Sequence, residues 1–264
     1  MPETLDNGTM FNQSAVKTMR IIELLAKNGN DAMRLNDIAK ALNMNTSTVL
    51  RFLASLRSLG YIGQNLDTSK YYLTLKLNAM IARIDIISFL REIAHPYLHS
   101  LSICFNETVC LGIERDMKVV YIDIVTGPEK MVRSEARIGN STSMHCTGIG
   151  KLLMLNYSDE KIVKWEEHMG FKIYTEHTIK THDALVSCLK EVRTKGYAFD
   201  NEECELNARC VAVPIRDYTG KVIAGISVSG TISHLSETTI NKNMAILIDA
   251  ADKISWQMGY QNDI

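Results

Sequence analysis

The spacing of apolar residues over positions 35–61 predicts two short helices joined by a tight turn. Apolar residues recur at steps of three and four on both sides of residues 43–45, where two Asn residues favour a turn over a continued helix. Asn45 or Thr46 is placed to cap the second helix, and Gly60 is placed to end it. Two helices in this arrangement, the second longer and polar at its start, are typical of a helix-turn-helix.

The polar face of the second helix carries the residues expected to contact DNA. They are Ser47, Thr48, Arg51 and Ser55, opposite the apolar stripe and mostly within the first two turns. Residues 61–63 and 71–74 predict two short strands around a polar turn, which form the wing of a winged helix-turn-helix. The alternative is a helical hairpin with no role in DNA binding, but the order of helix, turn, helix and wing favours the DNA-binding interpretation.

Two further helices are predicted around this segment. Ser14 is expected to cap a first helix that ends near residues 27–31 and completes a three-helix core, after a polar and mobile stretch over residues 1–12. Residues 75–87 again have helical spacing without Pro or Gly, so a helical linker is expected over residues 77–90. Its apolar face pairs with a second chain or packs on its own domain, and the pattern leaves both open.

The remainder of the chain predicts a mixed domain. Helices are expected near residues 89–104, with a break or kink at Pro96, and at 147–155, 160–168, 184–195 and 237–258. Hairpins are expected at 108–114 with 118–125 and at 210–216 with 222–228, and a further strand at 131–138. The predicted fold class is therefore α+β: a winged helix-turn-helix domain over residues 1–76, a helical linker over 77–90, and an α/β effector-binding and oligomerisation domain over 91–264.

Composition and charge narrow the functional classes. The chain of 264 residues has 46% hydrophobic and 22% charged residues, which is typical of a soluble globular protein of two domains. A polar start and the lack of a long apolar run predict no signal peptide, no membrane span and a cytoplasmic location. The net charge is −1, but residues 1–76 carry +3 and residues 77–264 carry −4. This modest basic excess lies in the predicted DNA-binding domain, so specific binding is expected to need two copies.

The six cysteines form no C-x-x-C pair, which argues against zinc-ribbon and thioredoxin-like sites. Reduced thiols, no bound metal and no cofactor are expected. A rival hypothesis is a metal- or thiol-responsive DNA-binding sensor using Cys146, Cys204, Cys210 and His145, although their spacing matches no standard metal site.

Two enzyme-like patterns fail on inspection. The segment GIGK at 148–151 lacks both the first Gly and the final Ser or Thr of a phosphate-binding loop. His145 and Cys146 are neighbours, so on an extended segment their side chains point to opposite faces and do not form a nucleophile–base pair. No enzymatic activity is expected.

Five segments across nearly the whole chain carry a family resemblance: TSTVLRFL with LGY at 46–53 and 59–61, HCTGIGK at 145–151, GYAFDNEE at 196–203, RCVAVP at 209–214, and AGISVSG at 224–230. Through them the chain resembles the IclR family of bacterial transcription regulators. KYYLTLKL at 70–77 and KISWQMGY at 253–260 resemble its KdgR-like branch, which implies control of pectin or sugar-acid catabolism. Leu50 stands where an aromatic residue is common, which would alter the packing of the recognition helix. Thr231 and His234 replace a frequent Pro and Arg.

The resemblance implies a GAF-like effector domain, a homodimer or dimer of dimers on a pseudo-palindromic operator, and an effector pocket. Carried over to this chain, the pocket consists of Gly148, Ile149, Asp200, Cys210, Ser227 and Ser229.

The residue types of this pocket also suggest a ligand. Thr147 is placed to cap a helix beginning at Gly148, whose open N–H groups favour an anion. Ser227 and Ser229 alternate on a strand and share one face, and Asp200 adds an acceptor for a ligand hydroxyl. Together they suit a small hydroxy or keto acid. The alternative is that both serines lie on the surface of a strand and Gly148 forms a tight turn. The expected function is a DNA-binding regulator, acting as a repressor of a carbohydrate or sugar-acid operon.

Overall fold

The computed structural model describes residues 12–29, 31–128 and 138–261. The chain forms two units, Met1–Asp85 and Ile86–Ile264, and their junction falls inside the predicted linker. Each unit buries its own apolar residues. No helix among the described residues has the length and apolar character needed to cross a membrane.

The first unit is a winged helix-turn-helix, as predicted. Its elements are α1 (Gln13–Lys27), α2 (Leu35–Ala41), α3 (Thr46–Ser58), β1 (Ile62–Gln64), β2 (Tyr71–Leu73) and α4 (Lys76–Ile81). Asn43 makes the turn between α2 and α3 with a φ of 50°, a conformation that Asn tolerates better than most residues. β1 and β2 pair antiparallel as the wing.

The cap of α1 differs from the prediction. Asn12, and not Ser14, precedes the helix, and its side-chain oxygen accepts from the backbone N–H groups of Ser14 (3.0 Å) and Ala15 (3.2 Å). Asn is among the strongest N-cap residues, and here it satisfies two of the free N–H groups at the helix start, so Ser14 becomes part of the first turn.

The core of this unit lies directly beneath α3. Val49, Leu53 and Leu56 are buried against residues of α1, α2 and the wing. At the other end of the helix, the Lys76 ammonium donates to the carbonyl of Leu59 (2.5 Å), which follows the last helical residue. A cation at a helix C-terminus satisfies free carbonyl groups and opposes the negative end of the dipole, so Lys76 holds α3 in place.

The predicted continuous linker helix is wrong, because residues 82–85 separate α4 from α5 (Ile86–Phe105). The N–H groups of Arg83 and Ile84 bond three residues back, to Met80 (3.4 Å) and Ile81 (2.9 Å), and thereby close a turn. The apolar residues of α4 and α5 keep the same helical spacing across the break, so the sequence pattern is that of one continuous helix. The expected break at Pro96 is absent, since α5 runs through it.

The second unit continues with β3 (Thr108–Arg115), β4 (Lys118–Val125), β5 (Ser141–Thr142), α6 (Gly148–Met154), α7 (Asp159–Met169), α8 (His182–Lys195), β6 (Ala198–Asn201), β7 (Ala208–Arg216), β8 (Val222–Thr231) and α9 (Glu237–Gln257). Within the described ranges, the sheet has the order β5-β4-β3-β8-β7-β6, with every neighbouring pair antiparallel. Both predicted hairpins are confirmed, whereas β5 and β6 were not predicted. The predicted strand at 131–138 lies outside the described residues apart from Ile138.

Helices cover both faces of this sheet. Ala224, Ile226 and Val228 on β8 belong to the core shared with α5 and α9. The alternate residues of the same strand face α6, which forms a second core with α7 and α8. The predicted α+β class with an N-terminal winged helix-turn-helix is therefore confirmed.

Candidate DNA-binding surface and effector site

The exposed face of α3 contains the predicted DNA-contacting residues. Ser47, Arg51 and Ser55 are exposed and lie four residues apart, so they form one row along the helix. Thr48 is half-buried beside them. The hydroxyl of Ser55 donates to the carbonyl of Arg51 (3.1 Å). With its proton used in this way, Ser55 offers an acceptor, which suits an amino group on a base better than a phosphate oxygen.

Leu50 shares this exposed face, and sequence reasoning placed it wrongly in the packing of the helix. Its side chain is 47% exposed, while the neighbouring Val49 is fully buried. Leu50 lies between Ser47 and Arg51, in the N-terminal part of the helix that contacts base edges in a helix-turn-helix. Its methyl groups are therefore placed for apolar contact with a thymine methyl group. The helical phase of Val49 and Leu53 was the signal that could have placed Leu50 outside the core.

Part of the basic charge counted in this unit holds the unit together. Arg57 donates to the side chain of Gln64 on the wing (2.6 Å), and Lys76 caps α3 while lying 4.7 Å from the centre of the Tyr61 ring. Arg57 and Lys76 are therefore engaged within the unit, whereas the Arg51 side chain is exposed on the recognition face.

In the second unit, three of the predicted effector residues form one row across neighbouring strands. Asp200 on β6 lies opposite Cys210 on β7, and Cys210 lies opposite Ser229 on β8. Residues directly opposite in antiparallel strands point to the same face. Ser227 follows two positions away on that same face, opposite Cys110 on β3. The fold thus adds Asp200 and Cys210 to the two serines whose alternation had already predicted a shared face.

The row continues to Thr108 on β3, which sequence reasoning missed. Thr108 lies opposite Ser229, its side chain is buried, and its hydroxyl has no hydrogen-bond partner among the described residues. A buried hydroxyl without a partner costs about 1–3 kcal/mol relative to one that is bonded. Only the pairing of β3 with β8 identifies this residue, because strand register cannot be obtained from one sequence.

Gly148 and Ile149 have packing roles, and their contact with an effector stays a prediction. A Cβ added to Gly148 would lie 2.9 Å from Cβ of Ala212, so glycine lets the start of α6 rest directly on β7. Ile149 is buried against the glycines at 112 and 225, and therefore offers a ligand only its backbone.

The predicted cap at the start of α6 is confirmed. Thr147 does cap the helix, and its hydroxyl oxygen accepts from the N–H of Gly150 (3.2 Å). The N–H of Gly150 is therefore engaged by the cap.

The Cys210 thiol is a neutral hydrogen-bonding group. Burial, followed by the charge of Asp200, raises the pKa of Cys210 to about 11. The thiol therefore stays protonated at neutral pH, which disfavours both metal ligation and nucleophilic attack.

Asp200 also orders the loop that follows β6. Its carboxylate accepts from the N–H groups of Glu203 (2.8 Å) and Cys204 (3.3 Å), and burial raises its pKa.

An ion pair is buried beneath this loop. The Lys151 ammonium donates to the carbonyl of Phe199 (2.7 Å) and to the carboxylate of Glu203, and the Lys151 side chain is 2% exposed. The second carboxylate oxygen of Glu203 has no partner among the described residues. Because Lys151 is committed to this pair, it cannot serve as the lysine of a phosphate-binding loop.

His145 and Cys146 point to different partners, as their adjacency predicted. His145 is fully buried, donates to the carbonyl of Lys172 (3.1 Å) and packs on Trp165, and burial lowers its pKa. The Cys146 sulfur lies 3.3 Å from that of Cys204. The part of the chain that the structure describes has no group of three His, Cys, Asp or Glu residues arranged to hold a metal ion.

Comparisons with known proteins agree with this geometry. A family model described as "IclR helix-turn-helix domain" matches residues 14–66, and one described as "Bacterial transcriptional regulator IclR C-terminal" matches residues 79–256. The HTH-type transcriptional regulator KdgR of Escherichia coli is 35% identical over 259 residues, which cover 98% of this chain and 97% of that protein. KdgR of Dickeya chrysanthemi is also 35% identical, over 98% of this chain and 84% of that protein. The crystal structure of the Thermotoga maritima IclR aligns with a TM-score of 0.61 and 28% identity, over 95% of this chain and all of that one.

Proposed function

We propose that this chain, which belongs to the IclR family of bacterial transcription regulators, represses an operon of carbohydrate or sugar-acid catabolism under the control of a small hydroxy or keto acid. The protein is a DNA-binding transcription regulator and not an enzyme. The proposed effector class rests on the row of neutral and acidic polar groups formed by Asp200, Cys210 and Ser229, with Ser227 beside it.

The chemistry of this row supports a hydroxylated ligand. Two serine hydroxyls and a protonated thiol act as both donors and acceptors, which matches hydroxyl and keto groups. An aromatic acid without hydroxyls offers no such groups to this row. For the acid group, support comes from the backbone of Ile149 and the positive end of α6.

A ligand screen tests the effector class. Sugar acids, 2-keto acids and aromatic acids are compared for the rise in melting temperature that they cause in the parent, Ser229→Ala and Asp200→Asn. Asn is chosen at 200 because it retains an oxygen for the N–H groups of Glu203 and Cys204. Ser100→Ala, at an exposed position on α5, is the matched control.

Hydroxy or keto acids should stabilise the parent and Ser100→Ala but not the two site variants. A ligand that stabilises all four proteins equally would place the effector elsewhere. A response to aromatic acids alone would refute the proposed ligand class.

For operator recognition, we propose that Arg51 and Thr48 contact bases, that Ser47 bonds nearby bases or phosphates, and that Ser55 accepts from a nearby base. Arg51→Ala should lower specific binding by about 1–3 kcal/mol and leave the fold intact. Arg20→Ala, which removes an exposed arginine from α1, is the control and should retain specificity. Mobility shifts on the region upstream of the protein's own gene measure both. Unchanged operator affinity of Arg51→Ala would remove Arg51 from the readout.

We further propose a homodimer, or a dimer of dimers, on a two-fold symmetric operator. The large apolar side chains exposed along the linker support it: Leu75, Met80, Ile81, Ile84, Ile86, Ile87 and Phe89, each more than 40% exposed. Such a surface rarely faces water alone. Effector binding would then change the spacing of the two recognition helices and release DNA. Sedimentation without DNA tests the assembly, and a strict monomer at micromolar concentration would contradict it.

A further inference from the structure

Two cysteines that are far apart in the sequence meet beside the effector row. The Sγ atoms of Cys146 and Cys204 are 3.3 Å apart, and the Cys204 thiol also donates to the Cys146 carbonyl (3.1 Å). A disulfide needs about 2.0 Å between the sulfurs, so a closing movement of about 1.3 Å separates the contact from a bond.

We propose that Cys146 and Cys204 form a reversible thiol-oxidation site, in which a hydroperoxide converts the pair to an intramolecular disulfide. The chemistry of this site stands on the thiol geometry alone. Its regulatory consequence rests on the proposed effector function, because the pair adjoins Thr147 and Asp200.

The reaction proceeds in two balanced steps. The partly exposed Cys204 attacks the peroxide, the O–O bond breaks, and Cys204 becomes a sulfenic acid while the peroxide leaves as an alcohol or water. The buried Cys146 then attacks the Cys204 sulfur, the S–S bond forms, and the sulfenic oxygen leaves as water with the Cys146 proton. The two electrons lost by the sulfurs reduce the peroxide, and a small thiol reverses the change.

The resting pair is protected from fast oxidation. The hydrogen bond with Cys146, followed by burial and the charge of Asp200, raises the pKa of Cys204, so little thiolate is present at neutral pH. Since the thiolate is the reactive species, oxidation is slow and needs sustained peroxide. This site therefore responds to lasting oxidative stress and not to a brief pulse.

The loop that carries Cys204 is held on one side and open on the other. The Glu203 carbonyl accepts from the hydroxyl of Thr178 (2.7 Å), whereas residues 205–207 are exposed. Cys146 is fixed immediately before the cap of α6. The disulfide therefore draws Cys204 toward α6 and lengthens its 3.3 Å bond to Asp200, which disturbs the polar row. The oxidised protein should lose its response to effector.

The other cysteines define the controls. Cys104 is exposed on α5, where its thiol donates to the side chain of Asn243 (3.6 Å). Because it is exposed, peroxide can oxidise it independently of Cys146 and Cys204. The experiment therefore uses Cys104→Ser as the reference protein. Cys146→Ser and Cys204→Ser in that background remove one partner each, and circular dichroism and melting temperature verify their folding.

The full-length proteins are incubated with hydrogen peroxide, digested without reduction and analysed by mass spectrometry. The reference should yield a peptide linked through Cys146 and Cys204, lighter by two hydrogens and lost on treatment with dithiothreitol. Neither single variant should yield it. Free alkylatable thiols at both positions after prolonged peroxide, or a disulfide formed mainly with Cys188 or Cys210, would overturn the thiol site.

The regulatory consequence has a separate readout. The rise in melting temperature caused by an effector identified in the screen should be lost in the oxidised reference, return with dithiothreitol, and persist in peroxide-treated Cys204→Ser. An oxidised reference that keeps the full rise overturns the link to effector binding. A screen without any ligand counts against the proposed effector class, while the peptide map still decides the thiol site.

Discussion

The buried ion pair of Lys151 and Glu203 gives a sharp test of the second unit. Lys151→Met retains an unbranched side chain of similar length, so little volume is lost, but it leaves an ionised carboxylate buried without its partner. Breaking a buried pair from one side costs about 3–5 kcal/mol. For a domain of this size about 2–4 °C of melting temperature corresponds to each kcal/mol, so we expect a fall on the order of 10 °C at neutral pH.

The pH dependence distinguishes charge from packing. Burial raises the pKa of Glu203, and the charge and hydrogen bond of Lys151 lower it. Without Lys151 the pKa of Glu203 rises further above its unfolded value, so the folded variant binds a proton where the unfolded chain does not. Stability then falls as pH rises between these two pKa values. The deficit of Lys151→Met should be complete near pH 8 and shrink toward about pH 5.

Thermal unfolding of the parent, Lys151→Met and Lys151→Met/Glu203→Leu at both pH values provides the measurement. Replacing both members should recover most of the loss, because no buried charge remains. Lys195→Met is the matched control: Lys195 pairs with Glu191 on the exposed face of α8, and no change in melting temperature is expected. A deficit that is the same at both pH values, or that the double variant retains, would refute the electrostatic explanation.

Three further changes test other contacts. Gly150→Ala should lower the free energy of unfolding of the second unit by more than the ~1–3 kcal/mol of ordinary overpacking, because the new Cβ would lie 2.2 Å from the Met144 carbonyl oxygen. A parent-like melting curve would contradict this close contact. Thr108→Val should raise the free energy of unfolding without ligand by up to about 1–3 kcal/mol, measured as a higher melting temperature. It should also weaken effector binding measured by calorimetry. A lower stability without ligand would show that the hydroxyl is bonded. Leu50→Ala should leave the melting temperature unchanged. In mobility shifts it should lower the free-energy preference for operator over non-specific DNA by about 1 kcal/mol, and an unchanged preference would exclude Leu50 from base contact.

Local patterns were sufficient for much of the fold. The stripe through Val49, Leu53 and Leu56 predicted which face of α3 is exposed, and hence Ser47 and Arg51 on the DNA side. Segments rich in Val, Ile, Leu and Tyr around short turns predicted the β3–β4 and β7–β8 hairpins. These features depend on residues close in sequence, where helical period and turn chemistry act directly.

Long-range geometry was beyond that reasoning. The four residues of β6 were too short a run to predict a strand, and nothing local places Asp200 opposite Cys210 or Thr108 opposite Ser229. The glycines at 148 and 150 were interpreted as sources of open N–H groups, whereas both are needed for close packing of α6. A glycine supports either role, and only the neighbouring backbone decides between them.

The order of strands in the sheet has a consequence for how the chain is made. β3 lies near the beginning of the second unit and pairs with β8 near its end, so the central ladder cannot close until almost the whole chain has left the ribosome. The winged helix-turn-helix closes its wing between neighbouring strands and can fold much earlier. During synthesis, the winged helix-turn-helix is therefore complete before the sheet of the second unit. A message broken within the second unit would yield a fragment with a folded winged helix-turn-helix and an uncovered strand edge, a species prone to aggregation and open to proteolysis.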